Sequence, residues 1–232
     1  MIMKTPRRAF ACLATAFTVA TMALLGPATP ANAAATVSCS IVPSSLTLGD
    51  RTQVVEFDVD STYRYWWIDF DYPKNNLMAA VTSYSDFRNT IFNPRHFENS
   101  DAGLKQFKVK LHQIRDGETR TCTAPFRLLR GSKISLSAAP VSGGRRLTGT
   151  LKRINFDENS QAPWIKAPWA SFAGQKVSIQ YRSGSTWITA STVKTRKNGT
   201  FKFTTKLGKR QWRAVFAGSA TTAARTSTTV TG

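Results

Sequence analysis

Between Gly174 and Gly218, apolar and polar residues alternate in short runs separated by turn residues, the period of strands with one buried face. Val177, Ile179 and Tyr181 fall on one side of the first run, and Lys176, Ser178, Gln180 and Arg182 on the other. Ser183-Gly184-Ser185 breaks that run, and a second extends from Trp187 to Val193. Asn198-Gly199 follows. Both residues tolerate positive φ, so the pair predicts a hairpin into the alternation of Phe201 and Phe203. Trp212 to Phe216 closes the set, and Trp187 and Trp212, both inside strands, are expected in the core.

The same period recurs upstream. Phe57 and Val59 alternate with Glu56, Asp58 and Asp60, and Trp66, Ile68 and Phe70 alternate with Trp67, Asp69 and Asp71. Paired as a hairpin, these runs would carry five carboxylates, Glu56, Asp58, Asp60, Asp69 and Asp71, on one outer face. Such a face is open to three readings: solvated acids, a weak calcium site of hard oxygen ligands, or a docking patch for a basic surface. Phe87 to Phe92 predicts another strand, and Asn93 to Gly103 reads as a loop. In Leu104 to Ile114, Phe107, Val109 and Leu111 point inward and Lys108, Lys110 and His112 outward, before Asp116-Gly117 turns the chain into a strand around Cys122. Ile134, Leu136 and Ala138 alternate next, then Gly143-Gly144 turns the chain into a strand from Arg146 to Phe156. No long amphipathic helix interrupts the series, so the expected class is all-β: two tandem immunoglobulin-like antiparallel sandwiches.

Residues 1–33 stand apart from this pattern. Lys4, Arg7 and Arg8 precede an apolar run from Ala9 to Leu25, and Ala31-Asn32-Ala33 offers the small-x-small pattern of a signal peptidase site. An export signal cut after Ala33 is expected, with the general and twin-arginine routes both open because of Arg7-Arg8. The run is too short for a membrane span, and no later run reaches that length, so the mature chain is expected to carry no transmembrane segment. Cys12 leaves with the signal. The two remaining cysteines, Cys39 and Cys122, suit one disulfide in an oxidising, extracellular compartment.

Charge divides the remainder near Gly131. Residues 34–130 hold 12 Lys and Arg against 11 Asp and Glu, while residues 131–232 hold 17 against 2. The expected domains are therefore 34–130, bridged by the disulfide and nearly neutral, and 131–232, strongly basic. The junction, Phe126 to Lys133, has no Pro-rich or Ser-rich spacer, which predicts halves joined almost directly.

Lys133 to Pro140, Leu147 to Arg153, Gly174-Gln175-Lys176-Val177, Trp187, Asn198 to Phe201 and Trp212 to Gly218 follow one another in an order that resembles the immunoglobulin-like repeat domain of secreted actinobacterial proteins. The resemblance covers most of residues 133–231, and the N-terminal half only in outline. It implies a seven-strand sandwich outside the cell and no activity.

Chemistry-bearing constellations are sparse. His96 and His112 have no metal-ligand spacing, and neither a Gly-x-Ser-x-Gly elbow nor a phosphate-binding glycine loop is present. Asp69 and Asp71 could be read as a glycosidase pair, but nothing marks a cleft, and the expectation is a non-catalytic protein without cofactor or metal. What remains is the basic half. Lys176, Arg182, Lys194, Arg196, Lys202 and Lys206 occupy predicted outward positions and point to a polyanion: teichoic-type polymer, anionic lipid headgroup or, least well supported, nucleic acid. The alternative is a protein-interaction or structural module whose charge serves solubility. Trp164 and Trp169, set among prolines, could stack on sugar rings or plug one end of the sandwich.

Overall fold

The alternating runs become strands, but their partners are not always those that chain order offers. The computed structural model describes residues 39–60, 65–70, 79–82, 89–112, 119–157 and 168–232. The expected export signal, Asp71, Trp164 and the Asp116-Gly117 turn lie outside the described residues. Among them there is no α-helix, only single 3-10 turns at Pro94–His96 and Asn99–Asp101. The first half contains β1 (Ser40–Val42), β2 (Ser45–Leu48), β3 (Gln53–Glu56), β4 (Asp58–Asp60), β5 (Tyr65–Phe70), β6 (Ala79–Thr82), β7 (Asn89–Phe92), β8 (Gly103–His112) and β9 (Thr119–Arg130). The second contains β10 (Ser132–Val141), β11 (Gly144–Ile154), β12 (Trp169–Ser171), β13 (Lys176–Ser183), β14 (Thr186–Lys194), β15 (Thr200–Thr205), β16 (Gln211–Phe216), β17 (Arg225–Thr226) and β18 (Val230–Thr231). The fold is all-β.

In the first half a five-stranded sheet runs β2-β9-β8-β5-β6, and two ribbons, β1–β4 and β3–β7, supply the opposite layer. Every pair is antiparallel except β2 on β9, which is parallel. Phe57 and Phe92 from the ribbons meet Phe126 from the sheet, with Phe57 and Phe126 ring centroids 5.8 Å apart. Aromatic edges and faces at such separations add to the burial of their area. Cys39 and Cys122 are bridged, with Cα atoms 6.3 Å apart. The bond ties the residue before β1 to β9, one layer to the other.

The expected hairpin between the two acidic runs does not form. β4 pairs with β1, whereas β5 pairs with β6 and β8. Phe57 and Val59 face Trp66 and Ile68 across one core instead of lying beside them in one sheet. Alternation fixes which face of a strand is buried but not which strand lies next to it. Glu56, Asp58, Asp60 and Asp69 therefore belong to different sheets, and the single acidic face, with the calcium and docking readings built on it, loses its geometric basis. Register also sets Asp69 opposite Lys108.

The second sandwich sets β10-β11-β12, with β15 also on β11, against β14-β13-β16 extended by β17 and β18. It has nine strands, two of them two residues long, where the resemblance implied seven. Its core includes Leu147, Leu151, Val177, Ile179, Trp212 and Ala214, all fully buried. Asn198-Gly199 does turn the chain, with Gly199 at φ 74°, but it joins β14 to β15, which lie in different sheets. The predicted hairpin is a sheet-to-sheet crossing. A Cβ on Gly199 would fall 2.5 Å from the Leu151 carbonyl oxygen, so close approach to β11 needs glycine there as well.

Gly131 is the single residue between β9 and β10. Its N–H donates to Leu48 O at 2.8 Å, and its carbonyl accepts from Ile154 N at 3.0 Å. Ile154 and Phe156, from beyond the junction, are buried in the first core, where Phe156 meets Phe97 at 6.0 Å. The hub is Asn99. Its N–H donates to Asp157 Oδ1 at 2.8 Å, its amide nitrogen to Asn155 Oδ1 at 2.6 Å, and its amide oxygen accepts from Phe156 N and from the Arg130 guanidinium. Arg130 is only 4% exposed. Burial, then repulsion from Arg153, pulls its pKa down to about 10, while Asp157 works the other way. Arg130 thus stays cationic at neutral pH. The halves share buried residues and a charged hydrogen-bond network.

Candidate polyanion-binding surface

On β13 the buried side chains are Val177 and Ile179, so Lys176, Ser178, Gln180 and Arg182 take the outer face. Register places Lys194 of β14 directly opposite Lys176, and Trp187 opposite Arg182. On the other flank β16 brings Arg213 opposite Gln180. These residues build a connected surface. The Arg213 guanidinium lies over the Trp187 ring, 4.2 Å from its centroid, and its Nε donates to Gln180 Oε1 at 2.7 Å. Gln180 Nε2 in turn donates to Thr189 Oγ1 at 3.2 Å. Arg182 donates through Nε to Gly184 O at 3.0 Å and through Nη1 to Gln211 Oε1 at 3.4 Å. Every acceptor is neutral, so the arginines are oriented without being neutralised. Among the described residues no carboxylate pairs with Lys176, Arg182 or Lys194.

Trp187 is a correction to the expected core, because it is half-buried on the outer face. Strict alternation back from Val193 would point it inward, but β14 carries a bulge. Ile179 pairs with Ser191 and Gln180 with Thr189, leaving Ala190 without a partner and reversing the parity beyond it. Trp212 does lie in the core.

The other predicted cations are elsewhere. Arg196 is exposed in the turn before Gly199, and Lys202 is exposed on β15 of the opposite sheet, with Lys206 beyond the strand end. The six cations therefore do not share one face. Trp169, read as a stacking candidate, sits on β12 at the junction. Its Nε1 donates to Asp50 Oδ2 at 3.1 Å, and Lys133 Nζ lies 3.9 Å from its ring centroid while also 3.8 Å from Asp50 Oδ2. Its ring face is occupied, and it plugs the joint between the halves. Arg213, Gln180 and the Asn99–Arg130 network went unrecognised in the sequence. Arg213 alternates with buried Trp212 and Ala214, a signal that was legible, whereas Asn99 sat in a loop with no pattern.

No protein-family model and no curated protein matches the chain. Among solved structures it is similar to the D00-D0 domain of intimin, at 15% identity and a TM-score of 0.29, over 84% of this chain and 98% of that one. A superposition that loose carries no correspondence of residues or of activity.

Proposed function

We propose that the protein is an exported, non-catalytic binding module, processed after Ala33, whose halves are residues 34–130 and 131–232 and whose basic half associates with anionic cell-envelope material. The carrying observation is the outer face of β13, β14 and β16. There Lys176 and Lys194 stand opposite each other with no carboxylate between them, and four to six residues further along β13, roughly 13 to 20 Å away, the same face carries the Arg213–Trp187 stack beside Gln180 and Arg182. Like charges directly opposite in a sheet destabilise it, and a surface needed only for solubility would intersperse acids. An extended polyanion lying along β13 would relieve that repulsion. Among the described residues no helix is long and apolar enough to cross a membrane.

The test is retention of the mature protein on purified cell walls, before and after removal of teichoic-type polymer, from 0.1 to 1 M salt. Retention should fall steeply as the Debye length shrinks from about 10 Å to about 3 Å. Replacing Lys176, Arg182 and Lys194 together with Gln should weaken the salt-sensitive part. Salt-independent retention, or an unchanged triple variant, would move the weight to a protein-interaction module. One feature favours that second reading: Val54 and Ile91, partners on the β3–β7 ribbon, are each 67% exposed.

A further inference from the structure

On the other sheet of the basic half, a cleft of about 390 Å³ is lined by Ser135, Ser137, Thr148, Thr150, Thr200, Arg196 and Lys202 among others. Register explains the lining. Ser135, Thr150 and Thr200 form one row across β10, β11 and β15, and Ser137, Thr148 and Lys202 form the next on the same face. Facing hydroxyls are already paired, Ser135 with Thr150 at 2.8 Å and Ser137 with Thr148 at 2.9 Å. A hydroxyl has one donor and two acceptor sites; Ser135 Oγ also accepts from Thr150 N at 3.2 Å, so its pair keeps one proton to give, whereas Ser137 Oγ donates to Thr148 O at 3.2 Å as well, so its pair keeps acceptor sites for an incoming alcohol proton. Arg196 stands at one margin, held by the turn in which its N–H donates to Thr200 O at 2.8 Å and its carbonyl accepts from Gly199 N at 2.8 Å. Among the described residues neither Arg196 nor Lys202 pairs with a carboxylate.

We infer that this cleft is a specific subsite for a polyol phosphate, with Arg196 and Lys202 taking the phosphodiester and the hydroxyl rows reading the polyol. The inference rests on the polyanion reading above and deepens it, for it adds to the charged face around Lys176 a cleft in which two cations stand beside rows of paired hydroxyls. A carboxylate polymer satisfies the cations and leaves the floor unread. Phosphodiester geometry also suits Arg196, whose planar fork can bind two oxygens at once.

The experiment compares the full mature chain with its Ser137→Ala/Thr148→Val variant, which keeps every charge, in titrations against poly(glycerol phosphate) and polyglutamate. The variant should lose about tenfold in affinity for the phosphate polymer and none for polyglutamate. Thr150→Val, one row along, repeats the test should the double variant fail to fold, and Thr123→Ala, exposed on β9 of the first half, should change neither affinity. Equal wild-type affinity for the two polymers, or a variant that loses both alike or neither, overturns the subsite and leaves general polyanion binding standing. Wild-type protein that binds neither polymer overturns both. Phosphatidylglycerol vesicles separate the sources: a matching tenfold loss there assigns the ligand to a lipid headgroup, and a loss confined to the soluble polymer assigns it to a polymer.

Discussion

In the first half, charged groups meet partners: Asp50 takes the Trp169 indole and Lys133, Lys105 Nζ donates to Ser100 O at 3.0 Å, and Asp101 Oδ2 accepts from Glu98 N at 2.7 Å. In the second half, Lys176 stands across from Lys194, and the one carboxylate among the described residues, Asp157, is spent on Asn99 at the joint. Both halves bury a core of aromatic and branched side chains between two layers, so the fold does not require the difference. One half spends its polar groups on holding itself and the joint together. The other orients Arg182 and Arg213 through neutral acceptors and gives neither a carboxylate among the described residues.

The largest expected effect tests the structural half. Cys39 and Cys122 close a loop of 83 positions, and by chain-entropy reasoning such a loop contributes about 4 to 5 kcal/mol. Cys39→Ser/Cys122→Ser should lower the unfolding free energy by that order, read from the urea midpoint and slope, with binding to polyanions at low denaturant unchanged. Loss of binding in a variant that is still folded would show that the two halves do not divide their tasks as drawn.

Next in size is the joint. Asn99→Ala removes the amide oxygen that accepts from the buried Arg130 guanidinium and from Phe156 N, a loss of about 3 kcal/mol, since a hydrogen bond to a buried charged group is costlier to lose than a neutral one. Because Ile154 and Phe156 are buried in the first core, the wild type should unfold in one transition and the Asn99→Ala protein in two, followed by tryptophan fluorescence. A single transition in both would mean that the shared apolar residues alone couple the halves.

What could be read in the sequence, and what could not, follows the same division. Period-2 alternation located Phe107, Val109 and Leu111 on the inner face of β8, and Val177 and Ile179 on that of β13, because burial of one face acts residue by residue. Pairing is a property of distant segments, so β4 was given to β5 when it lies on β1, and β14 to β15 when the turn between them crosses from sheet to sheet. Trp187 shows the finer limit. One unpartnered residue, Ala190, reverses the face of everything before it, and no composition or spacing announces a bulge in an otherwise regular strand. At the candidate site Lys176, Arg182 and Lys194 were legible as outward cations, whereas the Arg213–Trp187 stack depends on that bulge and was not.

The smallest expected effect separates the two kinds of charge most directly. Lys194→Gln removes one member of the cross-strand lysine pair, and relief of like-charge repulsion at an exposed sheet position should raise stability by roughly 0.2 to 0.5 kcal/mol at low salt. The gain should vanish near 1 M salt, where screening has already removed the repulsion. Affinity for poly(glycerol phosphate) or polyglutamate should fall in the same variant, also at low salt. Stability and binding would then move in opposite directions on one substitution, the mark of a residue kept for its ligand at a cost to the fold. In the structural half the corresponding change, Lys105→Gln, removes only an exposed hydrogen bond to Ser100 O at 3.0 Å and should leave stability within about 0.5 kcal/mol and binding untouched. If Lys194→Gln instead destabilises the protein at low salt, the lysine pair is part of the packing, and the contrast between the halves loses its electrostatic basis.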